Sequence, residues 1–153
     1  MLFRSIIEYL GPGALTLRGT GKATICNMGA ELGATGSIFP FDPSMARYLT
    51  ATGRDDISSM ASSMSGMLCA DPEVESNPEE FFDRVVHINL SALEPHIVGP
   101  HTPDLARPIS QTAADVNENG YLDEISVALI VSCTNSSYEH MNRPAHLAHQ
   151  ATH

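Results

Sequence analysis

The stretch EISVALIVSCTNSSYEH, residues 124–140, sets the class of the fold. From Ile125 to Val131 the residues are apolar or small, which predicts a strand buried on both faces. Cys133 follows, and then Thr134, Asn135, Ser136 and Ser137. Ser136 with Glu139 three residues on predicts a capping box that opens a final helix. A side chain beyond the carboxyl end of a strand and ahead of a helix stands where open α/β sheets build their sites. The unpaired N–H groups and positive end of that helix favour a thiolate, the form of cysteine that binds metal or attacks as a nucleophile. A cysteine can also be a small buried hydrophobe, but four hydrogen-bonding neighbours argue against that here. Its companions are not visible in the spacing. A nucleophile needs a base that no histidine position identifies, and an iron–sulfur ligand needs more cysteines, whereas Cys26 and Cys69 have no ligand-like spacing.

Upstream, the chain alternates helical and extended patterns. Leu2, Ile6, Ile7 and Leu10 fall at helical spacing, and GPG at 11–13 predicts the stop. KATICNMGAELGAT (22–35) predicts a closely packed buried helix bearing Ile25, Met28 and Leu32. On it Asn27 and Glu31 are four apart and share one face, which suits either a polar ligand or a solvated surface. Asp42 as N-cap, Pro43 at the first helical position and Gly53 as terminator bound the next helix. Residues 55–68 predict another. A polar, proline-punctuated connection (71–82) leads to an alternating strand at Val86, Ile88 and Leu90. Four prolines between 95 and 108 predict irregular backbone, and SQTAADVNENG a helix ended by Gly120. Strands alternating with helices give the α/β class, with a domain boundary near residue 95.

Composition narrows the functions. Of 153 residues only 8 are Lys or Arg and the net charge is −10, which excludes a nucleic-acid surface. No apolar run reaches the ~18 residues of a membrane span. Three widely separated cysteines fit a reducing compartment rather than a disulfide framework. GTGK (19–22) is no phosphate-binding loop, since Ala23 stands where Ser or Thr is needed. His146, His149 and His153 could line a helix face, but no carboxylate or cysteine joins them, and a solvated helix end accounts for them.

TICNMGAELGATGSIFPFD (24–42), GPHTPDLARP (99–108) and VSCTNSSYEHMNR (131–143) together resemble the aconitase family, and IEYLGPG and HINLSALEPHI agree with it in the same order. The likeness covers essentially the whole chain and lies closest to the mitochondrial-type branch. It implies an internal fragment with a three-layer α/β/α fold: residues 1–94 as the family's second domain and 95–153 as the beginning of its third. It implies a 4Fe-4S hydro-lyase of the tricarboxylic acid cycle that interconverts citrate and isocitrate through cis-aconitate. The whole protein is then a monomer of the mitochondrial matrix with a tricarboxylate substrate and no nucleic-acid or membrane partner. By the same resemblance Cys133 is one of three cysteine ligands of the cluster, the other two belonging to a downstream motif that this chain lacks, while Asn27 and Glu31 are catalytic. On this basis the chain by itself is inactive. A homoaconitase-like enzyme of lysine synthesis shares these motifs, and a short α/β module without a cluster is the alternative from outside the enzymes. The sequence departs from the family wording at Lys22, where a Met is usual, at His101, where a Phe is usual, and at Pro144, which predicts a kink or an early end in the last helix.

Overall fold

The computed structural model describes residues 4–130 and 134–151. The chain forms two units, one made of residues 1–85 with 130–153, the other of 86–129.

In the first unit β1 (Ile6–Glu8) is followed by α1 (Pro12–Thr16), α2 (Gly19–Gly29), a 3-10 turn (Ala30–Leu32) and β2 (Gly36–Ile38). The strands pair in parallel, with Ile6 opposite Gly36 and Glu8 opposite Ile38. Parallel partners require a crossover, and α1 and α2 supply it, making a βαβ unit. At the far ends of the two strands Tyr9 and Phe39 stack, with ring centroids 4.3 Å apart. The helix predicted over 2–10 is therefore a correction. The short apolar run satisfies either period, and its pairing with a strand 30 residues on decides for the strand. GPG opens α1 rather than ending a helix: Pro12 takes the first helical position and Gly11 the N-cap at φ 83°, a conformation that suits glycine.

Asp42 begins α3 (Pro43–Ala51) as expected, its Oδ1 accepting from the Ser44 and Met45 N–H groups, each at 3.0 Å. Gly53 at φ 73° ends it, and the Arg54 N–H returns to the Leu49 carbonyl at 2.9 Å, closing a Schellman-type cap. After it come α4 (Asp55–Ser63), a 3-10 turn (Ser65–Met67), α5 (Pro72–Ser76) and α6 (Pro78–Phe81). Asp55 and Asp56 complement the positive end of α4.

In the second unit β3 (His96–Val98) and β4 (Ala106–Pro108) form an antiparallel pair, and α7 (Thr112–Asn119) ends at Gly120 with φ 66°. The four prolines thus do not abolish regular structure. Pro100 lies in the connection and Pro108 at a strand end, where proline costs no ladder donor. Arg107 is 7% exposed, ion-paired with Asp115, bonded to the Gly99 carbonyl, and 5.4 Å from the Tyr121 ring. His101 meets the same ring edge-on at 6.3 Å.

Two predicted strands are not found among the described residues, the second of them running on into Val131, which lies outside these. Residues 86–89 carry no regular structure, and 124–130 run irregularly with Val127 at 78% and Leu129 at 76% exposure. A strand is secured by a neighbour that takes up its N–H and C=O groups, and among the described residues neither segment has one. The helix predicted over 22–35 is α2 with its 3-10 turn and is buried on one face only, with Lys22 and Gly29 covered and Met28 and Leu32 exposed. The last helix, α8 (Tyr138–Ala151), belongs to the first unit and runs through Pro144 without ending. The parallel pair with its helical crossover keeps the chain in the α/β class.

Candidate functional site

Seen down its axis, α2 has two faces. Taking Thr20 as zero and about 100° per residue, Gly19, Lys22, Cys26 and Gly29 fall together on one side, and Thr20, Thr24 and Asn27 on the other. The structure uses both faces.

The first face packs against the rest of the unit. A Cβ on Gly19 would meet the Ser44 carbonyl and the Tyr48 Cβ at 3.3 Å, and one on Gly29 would lie 2.4 Å from the Ser37 hydroxyl. Cys26 donates weakly to the Ser37 carbonyl at 3.7 Å, and burial pushes its thiol up. It is a packing residue held in its neutral form. Lys22 is 1% exposed, and its ammonium bonds Asp42 Oδ2 at 2.6 Å while lying 5.7 Å from the Phe39 ring. Burial pushes the Asp42 carboxyl up, but the hydrogen bond from Lys22 and those from Ser44 and Met45 outweigh it, and the net effect is a lowered value. The departure at Lys22 is thus compensated by the N-cap of α3. It does not bring a cation to the polar face.

The second face meets the segment that begins after Cys133. Thr24 donates its hydroxyl to Asn135 Oδ1. Thr20 donates to Glu139 Oε2 at 2.6 Å, and Arg18, just before the helix, pairs with Glu139 Oε1. The Thr20 hydroxyl and the Arg18 guanidinium together hold the Glu139 carboxyl below its usual range. Both oxygens of Glu139, the residue expected to close a capping box with Ser136, are engaged in this tertiary contact. Nearby, the Ser137 hydroxyl lies 3.0 Å from His140 Nδ1. Thr16, Arg18, Thr20, Asn135, Glu139 and Arg143 line a cleft of about 480 Å³ at this contact.

Asn27 and Glu31 continue the stripe that Thr20 and Thr24 begin. Asn27 lies on α2, but Glu31 lies in the following 3-10 turn. The strict i, i+4 helical relation between them therefore loosens, because the turn winds more tightly than the helix. Both side chains are exposed and, among the described residues, neither has a hydrogen-bond or ion-pair partner. Cys133, with Val131 and Ser132, lies outside the described residues. Among those described, no three His, Cys, Asp or Glu side chains gather as a metal site. What the structure brings together is the helix of Asn27 and the segment two residues beyond Cys133. Arg18, Thr20 and Thr24 were not singled out from the sequence. Polar residues at 20, 24, 27 and 31, with spacings of four, three and four, were the signal available.

The donor set suits one corner of an iron–sulfur site. A single cysteine precedes a segment joined to the helix that offers, among the described residues, an uncommitted amide, with an uncommitted carboxylate in the turn beyond it. The other cysteines do not add to it, since Cys26 is turned to Ser37 and Cys69 is exposed and bonds the Gly66 carbonyl at 3.3 Å.

A family model described as the aconitase family (aconitate hydratase) matches residues 3–153. The mitochondrial aconitate hydratase of Gracilaria gracilis is 52% identical over 147 residues, and that of Emericella nidulans 54% identical over the same length. A probable mitochondrial aconitate hydratase of Dictyostelium discoideum is 50% identical over 147 residues. In each case the match covers 96% of this chain and 18% of the relative, so the chain spans under a fifth of the length of these relatives. No described helix is long and apolar enough to cross a membrane. With its polar-faced helix, its SCTNSS segment and these relatives in agreement, the chain belongs to the aconitase family.

Proposed function

We propose that the chain is a segment of a mitochondrial aconitate hydratase that contributes Cys133 as a cluster ligand and Asn27 and Glu31 as catalytic groups. In this role it acts on citrate and isocitrate within a longer, monomeric protein of the matrix, with residues 1–94 and 95–153 belonging to successive domains. The observation that carries this is the bond from Thr24 to Asn135. It joins two motifs 111 residues apart and supports a common site for the amide, the carboxylate and the cysteine. The uncovered apolar side chains, Leu122 at 93% and Tyr138 at 85% among them, fit surfaces met by further chain.

A 4Fe-4S cluster, when bound, supplies Lewis acidity for departure of the substrate hydroxyl. The residues of this chain do the rest of their share by hydrogen bonding. The Cys133 thiolate binds, and its own pH dependence follows from the need to be deprotonated. The Asn27 amide can donate beside the thiolate and orient it. The exposed Glu31 carboxyl can hold or release a proton at the substrate hydroxyl, a contact that strengthens as the C–O bond breaks.

The test is segment exchange. Residues 3–153 replace the matching part of the Gracilaria gracilis enzyme, and cis-aconitate formation is followed by absorbance. The exchanged protein is expected to turn over, Cys133→Ser to abolish both iron content and turnover, and Glu31→Gln to lower kcat far more than it changes KM. An exchanged protein that folds but binds no iron would overturn the assignment, and a Glu31→Gln that shifts KM alone would make Glu31 an ordinary binding residue.

A further inference from the structure

We propose that Arg18, Thr20 and Thr24 are positioning residues, forming a three-point grip by which α2 and the residue before it hold the segment after Cys133 in register with Asn27 and Glu31. The inference rests on the function proposed above and adds to it residues that touch neither substrate nor cluster.

Three observations carry it. The grip is spread along the chain on both sides, with Arg18 and Thr20 on Glu139 and Thr24 on Asn135. It therefore fixes rotation as well as distance, which one hydrogen bond cannot do. The gripping residues lie on the stripe that continues into the reactive ones: on a regular helix residues 20, 24 and 27 span about 60°. A shift of the segment along α2 would then displace it from Asn27 and Glu31 directly, with no intervening element. The opposite face of α2 is anchored independently, through Lys22 to Asp42 and through the close approaches of Gly19 and Gly29. The helix is a fixed platform, and the segment of 135–139 is what the grip positions.

The grip is also built from side chains that cost little when ordered. Thr20 and Thr24 are β-branched and nearly locked in a helix, so their hydroxyls arrive preset. Glu139 carries its charge into two charge-assisted bonds, which are shorter and stronger than neutral ones. Arg18 is the exposed member, its side chain 60% accessible, and its pair contributes least because water and salt screen it.

The experiment is hydrogen exchange on the 153-residue chain itself, comparing the peptide 134–143 with the helical hairpin 43–63 as internal reference. Thr24→Val is nearly isosteric and removes only the hydroxyl, and Arg18→Met, at an exposed position, provides a second variant that leaves the helix intact. Thr24→Val is expected to speed exchange in 134–143 about fivefold to tenfold, as loss of one net hydrogen bond implies, and the screened Arg18→Met about twofold, with 43–63 unchanged and Thr24→Ser restoring the parent rate. In the exchanged enzyme the same variants should speed iron release to a chelator by a similar factor, and Thr24→Ser should again rescue. Unchanged exchange in 134–143 would overturn the grip. Faster exchange with unaltered iron release would reduce it to a contact that docks α8 and positions nothing. If the unsubstituted exchanged enzyme bound no iron, the proposed function would fail while the exchange rates still decided whether the grip exists.

Discussion

Replacing Lys22 by Met, the residue usual in the family wording, should destabilise this chain, and replacing Asp42 at the same time should restore it. Lys22 is 1% and Asp42 6% exposed, with 2.6 Å between ammonium and carboxylate. Removing one member of a buried pair leaves the other charge without compensation, which typically costs about 3–5 kcal/mol. The two single variants should not cost the same. In Lys22→Met the carboxylate keeps the bonds to its Oδ1 from the Ser44 and Met45 N–H groups and from the Ser44 hydroxyl at 2.7 Å, so roughly 2 kcal/mol is expected. In Asp42→Asn the cap survives, since Asn is as good an N-cap as Asp. The ammonium, however, stays buried without a counter-charge, and about 3 kcal/mol or more is expected. The double variant buries a methionine stem beside an uncharged cap and should fall within about 1 kcal/mol of the parent. The cycle would then show a coupling of about 4 kcal/mol or more, large even for neighbours in contact. Urea unfolding followed by far-UV circular dichroism reads this as shifts in midpoint at constant slope. Single-variant costs that simply add, to within about 0.5 kcal/mol, would refute the pair as the reason a lysine is tolerated inside this helix.

Two further outcomes follow from the same helix. Gly29→Ala should cost about 1–3 kcal/mol because its Cβ would stand 2.4 Å from the Ser37 hydroxyl, whereas Ser37→Ala, which removes a buried hydroxyl with no hydrogen-bond partner, should be neutral or stabilising and should rescue Gly29→Ala; thermal unfolding of the four proteins decides, and no rescue would exclude the close approach as the cause. The Glu139 carboxyl is held below its usual range by Thr20 and Arg18, so its contribution is complete above the unfolded value of about 4.3 and is lost as pH falls through the lower folded one. The difference in melting temperature between the parent and Glu139→Gln should be full above about pH 5 and shrink in acid, and a gap constant across the acid range would contradict that linkage.

The parts legible in the sequence were those decided locally. Asp42 followed by Pro43, Gly53 beyond α3 and Gly120 beyond α7 act through bonds to residues one turn away, and no tertiary information is needed to see them. The segment 2–10 was misread because Ile6 and Ile7 fit a helix as well as a strand until a partner at 36–38 is known. Residues 124–130 show the converse: their β-branched and aliphatic pattern describes what a strand needs, and among the described residues no neighbour supplies it. The destination of Lys22 could not be read from its neighbours, because its charge is balanced by a residue twenty positions on. Asn27, Glu31 and Cys133 enter the proposed site by resemblance alone. The threonines beside them were overlooked because a hydroxyl on a helix reads as solvated surface until its acceptor is identified.

The separations of 111 and 119 residues between α2 and its partners at Asn135 and Glu139 have a consequence in time. The hairpin of α3 and α4 closes within some twenty residues, and the β1–β2 pairing within thirty. The grip on 135–139 must instead wait until more than a hundred further residues have been made. Loop closure over such a span carries the larger entropic cost, and contacts of high sequence separation form slowly. During synthesis α2 therefore emerges with Thr20 and Thr24 facing water and remains so for more than a hundred residues. At roughly 5–20 residues per second, that interval lasts on the order of ten seconds. The polar character of the stripe suits that wait: a helix face destined for a late partner stays hydrated and does not attract the wrong apolar surface in the meantime.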